Sequence, residues 1–145
     1  MRGFLLDTNF ISELIKPRPE PKVTGWVESV DESLLFLSVL TLGEIRKGIA
    51  ALPRASRRVK LDAWLDGELR PRFVDRILPI DEAVADTWGR IAGELAARGV
   101  PPVPVIDGLL AATAANHDLT LVTRDTADVS RTGVAVFNPW KENGE

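Results

Sequence analysis

The chain has no cysteine, no tyrosine and a single histidine among its 145 residues. Without cysteine there is no disulfide framework, no thiolate nucleophile and no thiolate zinc site. Without tyrosine there is no phenolic nucleophile. The lone imidazole, His117, cannot build a zinc site of several histidines. It could still serve a Ser-His-Asp triad, but "AANHDLTL" reads as the end of a helix before a strand, where histidine helps satisfy the last carbonyls. Long apolar runs are missing too: none approaches the ~18 residues of a membrane-spanning helix. "MRGFLLD" has one basic residue and a very short apolar core, so it does not read as a signal peptide. The expectation is a cytoplasmic protein with no membrane partner. Phosphate chemistry, if present, would have to rely on carboxylates and metal ions.

What is present is ordinary in bulk and uneven in detail. A hydrophobic fraction of 45% and a charged fraction of 27% fit a globular protein. A chain of this length buries roughly 68–70% of its unfolded surface as one domain, so a single unit over 1–145 is expected. The net charge of −3 argues against a generic nucleic-acid binder. Yet residues 46–76 hold nine of the 18 Lys and Arg (Arg46, Lys47, Arg54, Arg57, Arg58, Lys60, Arg70, Arg72, Arg76) against four acids. Such a stripe can guide a polyanion to one face, although a solvated helix face is the plainer explanation.

No repeat, low-complexity tract or linker divides the chain. "FLL" at 4–6 reads as a short buried strand, followed by a helix through "FISELIK". Residues 22–31 form a helix with Val23, Trp26, Val27 and Val30 on one face. "LLFLS" at 34–38 is a second strand. "TLGEIRKGIAAL" is a helix bearing Leu42, Ile45, Ile49 and Leu52, and "SRRVKLDAWLDGEL" another with Val59, Leu61, Trp64 and Leu65 partly on one side. "ILPID" at 77–81 is a third strand before a helix over 82–97 with Val84, Trp88, Ile91 and Leu95 at helical spacing. "GVPPVPV" is a loop delivering the chain to the helix "IDGLLAATAANH". "LTLVT" and "VAVFN" are strands joined by "RDTADVSRTG". Strands alternating with helices predict an α/β fold, a mostly parallel sheet flanked by helices, with ligands gathering at the carboxyl ends of the strands.

Acids recur at that edge. Asp7 follows "FLL", Glu44 lies early in the helix after "LLFLS", Asp107 opens the helix after the proline loop, and Asp125 follows "LTLVT", with Asp128 three residues on. Two unit charges 4 Å apart at an effective dielectric of ~20 repel by roughly 4 kcal/mol. A cluster therefore wants protons, basic partners or a cation, and all-oxygen ligation suits Mg²⁺ or Mn²⁺. Each acid also has a local explanation. Thr41 and Glu44 spell a T-x-x-E capping box. Asp107 suits a first helical turn. Asp7 or Thr8 could cap the first helix, and Asp128 a short turn. Four caps need not share one sheet edge, which favours the cation.

The stretches "LLDTNFISEL", "LSVLTLGEIRKGI", "ILPID", "DGLLAATAANHDLTLVTRDTADV" and "VAVFNPW", in this order, resemble the PIN-domain ribonucleases and, within them, the VapC and FitB-like toxins of bacterial toxin–antitoxin pairs. The resemblance implies a PIN-like fold and metal-binding, catalytic roles for Asp7, Glu44, Asp107 and Asp125. It implies supporting roles for Thr123, for Asn9 as a group orienting Asp7 or a water, and a more variable one for Asp128, which Val129 follows where an aromatic is usual. The implied activity is hydrolysis of RNA phosphodiester bonds with one or two Mg²⁺ or Mn²⁺ ions, leaving a 5′-phosphate and a 3′-hydroxyl. The implied partners are RNA as substrate, a cognate antitoxin whose carboxy-terminal segment obstructs the active site, operator DNA only through that antitoxin complex, and a second copy in a homodimer. Trp64 and Trp88 could supply partner surfaces, but aromatics at helical spacing are more often core, and Trp140 reads as packing the terminal strand down.

Two other readings compete. A phosphoaspartyl hydrolase needs a second acid two residues after the first, where this chain has Asn9. A non-catalytic co-repressor acting through an antitoxin complex would need none of the four acids.

Overall fold

The computed structural model describes residues 2–141; Met1 and residues 142–145, part of the unit expected over 1–145, lie outside the described residues. Five strands, β1 (Phe4–Leu6), β2 (Leu35–Ser38), β3 (Ile77–Leu78), β4 (Thr120–Val122) and β5 (Val136–Phe137), form a sheet of order β3-β2-β1-β4-β5. Every pairing is parallel. Alternation along the strands explains why both faces are covered. Leu6, Leu35, Leu37 and Val122 enter one apolar cluster, while Leu5 and Leu121 enter the other. The first cluster lies under α1 (Thr8–Leu14), α2 (Pro21–Ser29), α3 (Val39–Ala50) and α4 (Ser56–Trp64). There Trp26 meets Phe4 and Phe10 edge-on, with ring centroids 5.0 and 5.6 Å away. The helix expected over 56–69 changes pitch: α4 passes into a π-helical turn, Leu65–Leu69, and ends in α5 (Arg70–Arg72). The wider turn brings Leu65 and Leu69 into the core, whereas Val59, expected on the apolar face, is 68% exposed.

The second face carries α7 (Val105–His117) and α8 (Thr126–Ser130), and α6 (Glu82–Ala97) packs against α7. The contact of α6 with α7 depends on Gly108, where a Cβ would come within 2.9 Å of the Trp88 indole nitrogen. Gly108 is thus the close approach that seats the first turn of α7, and with it Asp107. At the far end, Asp118 adopts the left-handed conformation (φ 56°) and Leu119 N–H returns to the Ala114 carbonyl at 2.9 Å. His117 closes α7 as expected. No helix among the described residues is long and apolar enough to cross a membrane.

Candidate active site at the carboxyl edge

The strand order reverses direction of growth between β1 and β4, and open parallel sheets bind ligands at such a switch point. Asp7 leaves β1 there, its own N–H bound to the Val122 carbonyl at 3.0 Å. Its carboxylate has two roles. One oxygen caps α1 by accepting from Thr8 N–H at 2.7 Å, and the other accepts from the Thr123 hydroxyl at 2.8 Å. Thr123, 1% exposed, follows β4 and is saturated. Its hydroxyl donates to Asp7 and accepts from Asp125 N–H at 3.1 Å and Asn9 Nδ2 at 3.3 Å. Asn9 Nδ2 also reaches the Asp125 carboxylate at 3.4 Å, and its Oδ1 accepts from Arg124 N–H at 3.5 Å. One hydroxyl therefore joins the β1 and β4 ends of the site.

Glu44 reaches the same edge from α3. The capping box expected from Thr41 and Glu44 does not form: β2 turns into helix at once, so Ser38 is the cap, its hydroxyl accepting from Leu40 N–H at 3.0 Å. Thr41 is left in the first turn with a buried hydroxyl that has no hydrogen-bond partner. Glu44 instead accepts from the Thr8 hydroxyl at 2.5 Å. Sequence reasoning misses that contact; its one local signal is a hydroxyl next to Asp7, which fits a helix cap equally well. Asp125 stands at the N-cap of α8, just before Thr126, without a side-chain cap bond. Asp128 caps nothing either: it lies inside α8 and faces Arg131 at 3.4 Å.

Electrostatics tie these acids together. Burial pushes Asp7 above the usual carboxylate range, against the pull of Thr123 and Thr8, and the charges of Glu44 and Asp125 add to the rise. Asp107 is pushed up to about 6, first by burial and then by Asp7, Asp128, Asp125 and Glu44. An acid on α7 thus senses acids from β1, α3 and the β4–α8 turn. Among the described residues none of Asp7, Glu44, Asp107 and Asp125 has an ion-pair partner. The donor chemistry, oxygen-only and charge-rich, suits a hard divalent cation. As they stand, no three His, Asp or Glu side chains among the described residues are arranged so that they could hold one ion.

Beside Glu44 opens a cavity of about 220 Å³ between α1, α3 and α4, walled by Ile15, Ile45, Ile49, Leu52, Leu61 and Trp64. Thr8, Glu44 and Arg57 belong to the same lining. Trp140 is part of the packing: Phe10 meets it edge-on at 6.2 Å, and Arg124 lies 4.5 Å over its ring.

The PIN domain family model matches residues 4–134. The chain is 40% identical over 138 residues to toxin FitB of Neisseria gonorrhoeae, covering 95% of this chain and 99% of that protein. It is 35% identical over 137 residues to VapC ribonuclease Y4jK of Sinorhizobium fredii, covering 94% and 97%. Among solved structures it is similar to FitAB bound to an IR36 DNA fragment, with TM-score 0.92, 37% identity, and coverage of 98% of this chain and 99% of that one.

Proposed function

Because the chain belongs to the PIN-domain family and is similar over nearly its whole length to FitB and a VapC ribonuclease, we propose that it is the toxin of a type II toxin–antitoxin pair and a metal-dependent endoribonuclease. The observation that carries this reading is the set of four carboxylates at the switch point, none offset by an internal cation, with Asp7 and Asp107 raised by burial and by their neighbours. Asp7, Glu44, Asp107 and Asp125 would hold one or two Mg²⁺ or Mn²⁺ ions. Such ions, when bound, polarise the phosphate, acidify water and stabilise the departing oxygen.

The chain's own groups do the rest. Thr123 fixes Asp7 by donating to it, Asn9 ties Thr123 to Asp125, and Thr8 orients Glu44. A water oxygen adds to phosphorus as the bond to the ribose 3′ oxygen breaks, giving a 5′-phosphate and a 3′-hydroxyl. His117 lies at the other end of α7 from Asp107, so the proton released by that water goes to a carboxylate, and the departing 3′ oxygen takes its proton from solvent.

The antitoxin's carboxy-terminal segment would lie in the apolar cavity beside Glu44 and block access to the acids. FitAB, the similar structure, is a DNA-bound complex, which supports operator binding through the antitoxin. The proposed toxin is cytoplasmic and a homodimer, and sedimentation of the antitoxin-free chain reads the latter.

The test is cleavage of a structured RNA by purified, antitoxin-free protein with Mg²⁺, Mn²⁺ or EDTA, beside Asp7→Asn and Asp107→Asn purified identically. Metal-dependent cleavage lost in both folded variants is the expected result. Cleavage that survives both substitutions overturns the mechanism. Retention of antitoxin and operator binding with no cleavage by any preparation would make the chain a co-repressor instead.

A further inference from the structure

The basic stripe at 46–76 splits into two halves. Arg46 is engaged by Asp62 and Asp66, Arg70 by Asp66, and Arg72 and Arg76 by Glu32. Arg58 donates to the Leu52 carbonyl at 3.3 Å and so braces the corner between α3 and α4. Lys47, Arg54, Arg57 and Lys60 are exposed and, among the described residues, have no such partner. All lie in residues 47–60, a span with no acid. The engaged arginines hold the helices together; the free cations crowd one corner. That corner adjoins the acids: Lys47 is three residues beyond Glu44 on α3, and Arg57 shares a cavity with Glu44 and Thr8. From Glu44 to the end of α3 is about 9 Å at the α-helical rise.

We infer that the α3–α4 corner, through Lys47, Arg54, Arg57 and Lys60, grips the RNA backbone flanking the phosphate presented to the acidic site. This rests on the ribonuclease reading. A carboxylate cluster repels a polyanion, so a strand delivered to it needs positive charge nearby. Uninterrupted Lys and Arg match a polymer with a charge on every nucleotide, and such contacts position without reading sequence. The four are positioning residues for substrate, not catalytic ones.

The experiment measures binding of a short fluorescein-labelled single-stranded RNA of mixed sequence by anisotropy across a salt titration, in Asp7→Asn protein so that the RNA stays intact. The quadruple variant Lys47→Gln, Arg54→Gln, Arg57→Gln, Lys60→Gln is compared with Arg2→Gln, a cation preceding β1 at the amino edge of the sheet. The quadruple variant should bind at least about tenfold more weakly at low salt, with the log–log salt slope falling by about 0.7 for each phosphate that is no longer neutralised. Arg2→Gln should match its parent. An unchanged slope in the folded quadruple variant overturns the inference. Loss of binding to a polyglutamate peptide with RNA binding retained also overturns it and gives the corner to an acidic protein. A chain that cleaves RNA yet shows the unchanged slope loses this inference alone; one that binds RNA through the corner and cleaves under no metal loses the nuclease reading alone.

Discussion

The acids of this protein live under two regimes. On the α3–α5 side the structural carboxylates hold arginines: Asp62 and Asp66 engage Arg46, and Glu32 engages Arg72 at 2.9 Å and Arg76 at 3.2 Å. Hydrogen bonding to Arg72 pulls Glu32 below its usual range. At the carboxyl edge Asp7, Glu44, Asp107 and Asp125 have hydroxyls, amides and one another, and the shifts of Asp7 and Asp107 run upward. The acids that brace the helices are neutralised from within, and this group is left uncompensated. The difference in sign separates charge used for architecture from charge held for something outside the chain.

The most severe break in that contrast is expected at Thr123, the hydroxyl on which Asp7, Asn9 and the Asp125 amide converge. Thr123→Val keeps the shape and removes all three bonds. Cleavage should fall by about 10–100-fold, the cost of losing a group that orients a ligand, while Thr123→Ser recovers most of it. Leaving Asp7 buried with one fewer donor should also cost about 1–3 kcal/mol in urea unfolding. Equal activity of the Val and Ser variants would remove Thr123 from the site's support.

A smaller effect should appear in stability against pH. A carboxyl raised on folding contributes stability that is complete below its ordinary pKa of 3.8 and gone once pH passes its folded value, about 6 for Asp107. Metal-free protein should therefore lose thermal stability across that window, and Asp107→Asn should flatten the loss and melt a few degrees higher at neutral pH. Mg²⁺ should raise the wild-type midpoint more than the variant's. A variant that melts lower than wild type at neutral pH without metal would place Asp107 under the arginine-paired regime.

How far this is legible in the sequence follows from which interactions are local. The strand order, the parallel sheet and the α6 span 82–97 follow from short apolar runs alternating with helical spacing, and the structure reproduces them. The helix α8, Thr126–Ser130, forms in a stretch that reads only as the connection between the last two strands. The convergence of Asp7, Asp107 and Asp125 on one edge follows from each standing just after a strand or at a helix start. What escapes depends on contacts across the chain. The local T-x-x-E pattern hides the pairing of Glu44 with Thr8, 36 residues away, and the earlier start of α3 makes Ser38 the cap. The π-helical turn at Leu65–Leu69 is equally unannounced, while Val59 lies in regular α4 about 200° around the helix from Leu61 and so faces solvent. Which half of the basic stripe is engaged is equally hidden, because Glu32 meets Arg72 and Arg76 only once the fold is closed.

On the paired side, Glu32→Gln should leave cleavage unchanged and cost about 1 kcal/mol, because these partly exposed pairs are solvent-screened. A melting curve and an RNA assay on the same preparation check both halves of that statement. A loss of cleavage in this folded variant would show that the paired acids also serve the site.

Asp128 tests the border between the regimes. It raises Asp107 as the site acids do, yet it faces Arg131 at 3.4 Å as the structural acids face theirs. Arg131 also donates to the Pro102 carbonyl at 3.2 Å, so the pair braces the loop that leads into α7. If the pairing decides, Asp128→Asn should change cleavage by no more than about fivefold, the equivalent of an exposed ion pair of up to about 1 kcal/mol. Removing its charge should also lower the metal-free Asp107 pKa, which the chemical shift of the Asp107 carboxyl carbon follows through a pH titration. Loss of cleavage comparable to that expected for Asp7→Asn would put Asp128 with the four uncompensated acids, and having an internal arginine would then no longer distinguish architecture from function.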